Sequence, residues 1–238
     1  MPDSKLEPRS TLSGRQTGSR QIKYTPWLGM VLCMCLALAC TRTYLSEQEL
    51  QAYIQESEEL SKTKEYKGYQ ITVSYKPNDL LIAQELGGEE AKSFTQLTEL
   101  RKKYQDYNYF ILSLSKENKE ALYKAGGGQD QFSDLVQTLS FRMANYVNLT
   151  TSGSDTIEVA DYVFPRTYGM GGATNLMFVF NKKNTEDDEW MQFNLKEFGL
   201  GLGNKNFRFR REDLEHVPKI DFTVKNSATV SSIETQEK

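Results

Sequence analysis

YQITVSYKPNDLLIAQEL, residues 69–86, contains a strand, a turn and a helix start in quick succession. Tyr69, Ile71, Val73 and Tyr75 alternate with polar residues, the two-residue period of a strand with one buried face. Pro77-Asn78-Asp79 ends that period and marks a turn. Asp79 is expected to cap the short helix that opens with Leu80-Leu81-Ile82, and Gly87-Gly88 is expected to stop it.

Both flanks carry the same mixture of periods. On the N-terminal side, Ser46 and Glu49 have capping-box spacing, and Leu45 and Leu50 occupy the staple positions around it. They predict a helix over 45–60 with Leu50, Tyr53 and Ile54 on its apolar face. On the C-terminal side, a helix is expected over 89–104, with Phe94, Leu97, Leu100 and Tyr104 turned inward. YFILSLS, residues 109–115, is apolar on both faces at its start, as a central strand is. After the break at Gly126-Gly127-Gly128, a stripe of Phe132, Leu135, Val136, Leu139, Met143, Tyr146 and Val147 predicts an amphipathic helix over 130–148. Strand patterning returns at 156–164, 175–180, 190–195, 207–211 and 219–224, at spacings short enough for antiparallel neighbours. Together these segments predict one α+β domain over 45–224, a mainly antiparallel sheet with helices packed on one face, followed by a polar tail at 225–238.

Charge and cysteine usage divide the chain. Residues 1–39 hold five basic side chains (Lys5, Arg9, Arg15, Arg20, Lys23) and two acids (Asp3, Glu7). Of 29 basic and 32 acidic residues in all, 24 and 30 are then left for the rest, a net charge near −6. A nucleic-acid partner is not expected, because phosphate neutralisation requires a basic excess. The cysteines are Cys33, Cys35 and Cys40, all within or at the end of one apolar run. A domain that begins at Cys40 has no disulfide, no thiol nucleophile and no zinc set. No cofactor or metal site is expected.

That run, WLGMVLCMCLALA at 27–39, has no charge. It is shorter than the roughly 20 apolar residues that span a bilayer, but it has the length of a secretory core. Residues 1–39 therefore read as a polar leader and signal peptide, long enough to allow initiation downstream of Met1. Leu36-Ala37-Leu38-Ala39-Cys40 resembles the bacterial lipobox, with Ala37 where the motif prefers Leu. The resemblance implies cleavage before Cys40, a diacylglycerol thioether on its sulfur, and acyl chains that tether the product to a bilayer at about 0.8 kcal/mol per buried methylene. Residues 40–44 would be a short tether.

With the helix that follows and Tyr75-Lys76-Pro77 leading into Asp79-Leu80-Leu81, the segment over 36–86 looks like uncharacterised lipoproteins of the Bacteroidota. That resemblance implies an envelope location without implying an activity. Thr41-Arg42-Thr43-Tyr44 lacks the acidic export signal found after the cysteine in some of that group, which favours a periplasm-facing position over the cell surface.

Catalytic patterns are thin. The single histidine, His216, sits in a charged stretch, where a surface or turn role is expected. Ser61-Lys62-Thr63-Lys64 and Ser113-Leu114-Ser115-Lys116 fit Ser-x-x-Lys without the companion elements that give it meaning. Gly199, Gly201 and Gly203 lack a strand–turn–helix setting, and Glu186 to Glu189 lack the spacing of a calcium loop. The 165–172 loop, with Arg166, Tyr168, Gly169, Gly171 and Gly172, is the candidate partner contact. The sequence thus favours a non-catalytic interaction or assembly component of the envelope with a protein partner. The alternatives are a small-molecule or glycan module using exposed Tyr, Trp190 and the Gly loops, and a hydrolase with two acids in a concave pocket.

Overall fold

The computed structural model describes residues 44–87, 94–125, 128–182 and 188–222. Cys40 and the leader, the tail from Lys225, and Gly88, Glu89-Glu90, Gly126-Gly127 and Glu186-Asp187 lie outside these, as do the expectations placed on them.

The fold is α+β with mainly antiparallel strands. One six-stranded sheet runs β2 (Ser61–Tyr66), β3 (Tyr69–Tyr75), β4 (Tyr107–Lys116), β9 (Thr174–Asn181) and β8 (Asp161–Val163), with β5 (Lys119–Glu120) paired to the end of β4. A four-stranded sheet runs β11 (Lys205–Arg210), β10 (Trp190–Leu195), β6 (Val147–Thr151) and β7 (Thr156–Glu158). A short parallel pair joins β1 (Tyr44–Leu45) to β12 (Lys219–Ile220), bringing the two ends of the domain together. The described helices are α1 (Glu47–Glu56), α2 (Asn78–Leu86), α3 (Phe94–Tyr104), α4 (Gly128–Phe141) and α5 (Arg211–Glu215).

Alternation in β3 sets the core. Val73 pairs with Leu112, and Leu112 with Leu176; Tyr75 pairs with Phe110, and Phe110 with Phe178. These rows face inward and are buried. The four-stranded sheet answers with Met191, Phe193, Phe207 and Phe209. The two inner faces meet through aromatic rings: Phe110 lies 5.1 Å from Phe209 and 6.0 Å from Phe193, and Phe178 lies 5.7 Å from Phe193. Edge-to-face and tilted contacts of this kind each add about 0.5–1.5 kcal/mol beyond area burial.

Several boundaries move for physical reasons. The patterned segment 156–164 is two strands in different sheets, with Val159-Ala160 as the corner between β7 and β8. The amphipathic stripe over 130–148 outlasts its helix: α4 ends at Phe141, Met143 sits in a 3₁₀ turn, and Val147 opens β6. Phe94 is exposed rather than inward, while Leu97, Leu100 and Tyr104 of α3 pack on the core. Ser46 and Glu49 form the capping box of α1. Asp79 does not cap α2, whose N-cap is Pro77. Its carboxylate instead accepts the Ile220 N–H at 2.8 Å and lies 3.8 Å from Arg101, so it ties α2 to β12 and α3.

β2, SKTKEY, has no apolar alternation and carries no strand signal. It is held by its ladder with β3, where Lys62 stands opposite Val73 and Lys64 opposite Ile71, and their ammonium groups lie 5.6 Å and 5.4 Å from the rings of Phe209 and Phe207. Two lysines thereby close the edge of the aromatic core.

Truncating the hub should expose this dependence. Phe110→Ala is expected to cost about 3–5 kcal/mol, and Phe94→Ala less than about 0.5 kcal/mol. Urea unfolding followed by circular dichroism measures both; equal losses would refute the assignment of the hub.

Candidate functional site

The 165–172 loop is built around a carboxylate. Glu120, at the end of β5, is 3% exposed. It accepts the Thr167 hydroxyl at 2.7 Å and the Gly171 amide at 2.9 Å. Gly171 is required by this approach, since a β-carbon there would stand 3.0 Å from Thr167 Oγ1 and 3.2 Å from the Glu120 carboxylate. Arg166 donates to Ser140 Oγ at 2.7 Å, which fastens the loop to α4. Tyr168 adopts a left-handed backbone (φ +52°), an uncommon state for a bulky residue that the surrounding bonds must sustain.

Behind the loop lies an apolar pocket of about 170 Å³, lined by Leu122, Tyr123, Phe132, Val136, Phe164 and Tyr168. The Tyr123 ring is 5.4 Å from Phe132 and lies under Gly169. Exposed apolar side chains lie on the segments that line this pocket or next to them in sequence. Among the described residues, five of the nine exposed large hydrophobic side chains belong to these neighbouring segments: Tyr123, Phe141, Val163, Tyr168 and Met170. Tyr168 is 69% exposed and Met170 86%. Gly172 is exposed on the same loop. The sequence pointed to the loop through its glycines and Arg166; it gave no sign that Glu120 organises it.

The other glycine-rich segment is also closed by a carboxylate. Glu197 accepts the amides of Gly199 and Gly201 at 2.8 Å each, and that of Gly203. Partial burial acts to raise its pKa, but the amides of Gly199, Gly203, Gly201 and Leu200 outweigh burial and hold it below the ordinary value. An anion-binding nest thus already contains the chain's own anion.

Other candidates remain apart. Ser113 bonds Asn175, while Lys116 lies over the Tyr69 ring; Ser61 bonds Ser74, while Lys64 covers Phe207. Residues three apart on a strand face opposite sides, so neither Ser-x-x-Lys pair meets. Trp190 is covered by the Arg208 guanidinium at 3.9 Å, and the His216 ring stands 2.7 Å from the Glu212 carbonyl at the end of α5. Asp188 takes the Ser152 hydroxyl and the Gly153 amide, closing a turn. A cleft of about 610 Å³ includes Asp79 and Glu215 among its lining residues. Each acid is engaged, Asp79 by Ile220 and Arg101, Glu215 by Arg211 at 3.0 Å. Among the described residues, no group of three His, Cys, Asp or Glu is placed to hold a metal, and no helix is long and apolar enough to cross a membrane.

No protein-family model and no curated protein matches the chain. A solved structure of a novel protein of unknown function from Burkholderia pseudomallei K96243 is similar at 8% identity and a TM-score of 0.35, over 75% of this chain and 96% of that one. A likeness at that level carries no argument about function.

Two substitutions test the loop carboxylates. Glu120→Gln removes the charge from two bonds and is expected to cost about 1–3 kcal/mol and to speed tryptic cleavage after Arg166; an unchanged cleavage rate would show that Glu120 does not hold the loop. Glu197→Gln should cost about 1–2 kcal/mol at neutral pH. Because the folded carboxylate has a depressed pKa, its contribution is full above the unfolded value and lost as pH falls through the folded one. The stability difference between wild type and Glu197→Gln should therefore hold steady from pH 7 to about 4.5 and shrink below, as read by urea titrations at each pH.

Proposed function

We propose that this protein is a membrane-anchored extracytoplasmic lipoprotein, acylated at Cys40, that serves as a non-catalytic interaction component of the cell envelope and meets its protein partner through the 165–172 loop. The observation that carries this reading is the exposure of Tyr123, Tyr168 and Met170 on that loop and its pocket. Clusters of this kind are unusual on a surface that faces only water, and partner-binding energy concentrates in a few large side chains seated in or beside pockets. The Glu120 clamp supports it further, since a loop fixed before binding loses less conformational entropy on docking. The parallel pair β1–β12 places the start of the domain, four residues after Cys40, in regular structure, so a tether there would be short.

The anchor and the contact surface are tested together. Mass spectrometry of protein extracted from membranes should find a mature N-terminus at Cys40 carrying diacylglycerol. A product that retains Trp27, or one with an unmodified Cys40, would overturn the anchor. Affinity purification in detergent should recover one stable partner with wild type and lose it, with the fold intact by circular dichroism, when Tyr168 and Met170 are both replaced by Ser. Equal recovery with the double variant would overturn the surface.

A further inference from the structure

The face of the six-stranded sheet turned away from the aromatic core forms the floor of an open groove of about 720 Å³, bordered by α1 and α2. Its floor sets neutral hydrogen-bonding groups around Ile111, with Ile54 and Leu80 on the bordering helices. Ser61 and Ser74 pair at 2.8 Å, Thr63 and Thr72 at 2.8 Å, and Ser113 with Asn175 at 2.6 Å. Gln51, Gln55, Gln70 and Gln84 add amides. Among the described residues, no acidic residue lines the groove and one charged residue does: Lys76.

Lys76 is 8% exposed. Its ammonium donates to Gln84 Oε1 at 2.7 Å, and among the described residues no carboxylate lies within ion-pair distance of it. Burial pushes its pKa down, with a weaker opposing pull from Glu47 on the first turn of α1. A buried ammonium with no carboxylate in contact is costly, and the cost falls when an anion completes the pair. It is hard to account for by packing alone, because a Met or Leu stem would fill the same space without it.

We propose that this groove binds a polyhydroxylated carboxylate, a sugar acid of the uronate class, with one carboxylate on Lys76 and its hydroxyls on the Ser, Thr, Asn and Gln groups of the floor. The volume suits a ligand of one to three sugar rings, within the roughly 300–1,000 Å³ of small-molecule sites. Hydroxyl and amide groups both donate and accept, which is what vicinal hydroxyls require. A phosphate dianion is less well matched, since the groove offers one ammonium and no Arg fork. This site is on a different surface from the 165–172 loop and does not depend on that loop's role; it gives the glycan-binding alternative a location and a charge.

The test is calorimetric titration of the full chain in detergent with digalacturonate, with neutral maltose, and with inorganic phosphate. Digalacturonate is expected to bind at least tenfold more tightly than either of the others. Lys76→Met should fold, lose that preference by at least tenfold, and leave the Tyr168 and Met170 surface unaffected. Thr72→Val with Ser113→Ala keeps the ammonium and should weaken digalacturonate while leaving its preference over maltose. Failure of wild type to bind digalacturonate at millimolar concentration overturns the proposal. So does equal binding by wild type and Lys76→Met, or tighter binding of phosphate.

Discussion

The contact of Phe110 with Phe193 and Phe209 is the constraint on which the fold depends. It joins the middle strand of one sheet to two strands of the other. Neither sheet is stable with its apolar face in water, so each provides the other's solvent exclusion. Register follows from it. A slip of one residue in β3 or β4 would turn Val73, Leu112 and Phe110 outward and bring Thr72, Ser74 and Ser113 into the core. The polar groove is therefore the other half of the same alternation: what makes one face an aromatic core makes the opposite face a hydroxyl floor.

The same constraint separates what could be read in the sequence from what could not. Strands with one buried face were legible, since Trp190–Leu195 and Tyr69–Tyr75 fall where alternation put them, and Arg208 and Arg210 point outward with Phe207 and Phe209 inward. The capping box was legible because it is local. β2 was not, because its inward residues are lysines that act as hydrophobic stems only when aromatic rings from residues 207 and 209 lie opposite. The corner at Val159-Ala160 was hidden because alternation continues across it while the chain changes sheets. The division of the strands between two sheets is set by pairings between distant segments, which a local period does not encode. The same is true of the candidate sites: glycines announced the 165–172 loop, but its organiser Glu120 is 47 positions from Thr167, and Lys76 gained its meaning only from neighbours on other elements.

Acidity also has a structural reading. Net charge near −6 over the residues from Cys40 onward gave no clue to a partner. In the fold, four of these carboxylates hold backbone. Glu120 holds the 165–172 loop, Glu197 the amides of Gly199, Gly201 and Gly203, Asp188 the turn at Ser152-Gly153, and Asp79 the strand at Ile220. Each supplies an acceptor to N–H groups that no helix or sheet ladder satisfies. This is why segments that look like phosphate cradles in sequence are not: their donors already face a carboxylate of the chain.

That habit makes Lys76 stand out by contrast. The carboxylates just named are matched to donors within the fold, and several cations have an acid, as Lys103 has Glu85 and Lys124 has Glu117, or an aromatic face, as Lys62 and Lys64 do. Lys76 has an amide oxygen and a hydroxylated groove. Lys76 differs from them in being buried, with no carboxylate in contact among the described residues, at a concave surface where an external anion would complete it. Selection for stability alone would replace such a lysine with an apolar residue, at a gain in desolvation energy. Its ammonium instead stands in one groove with seven hydroxyl and amide groups of the sheet face, the combination that an anionic, hydroxylated ligand requires.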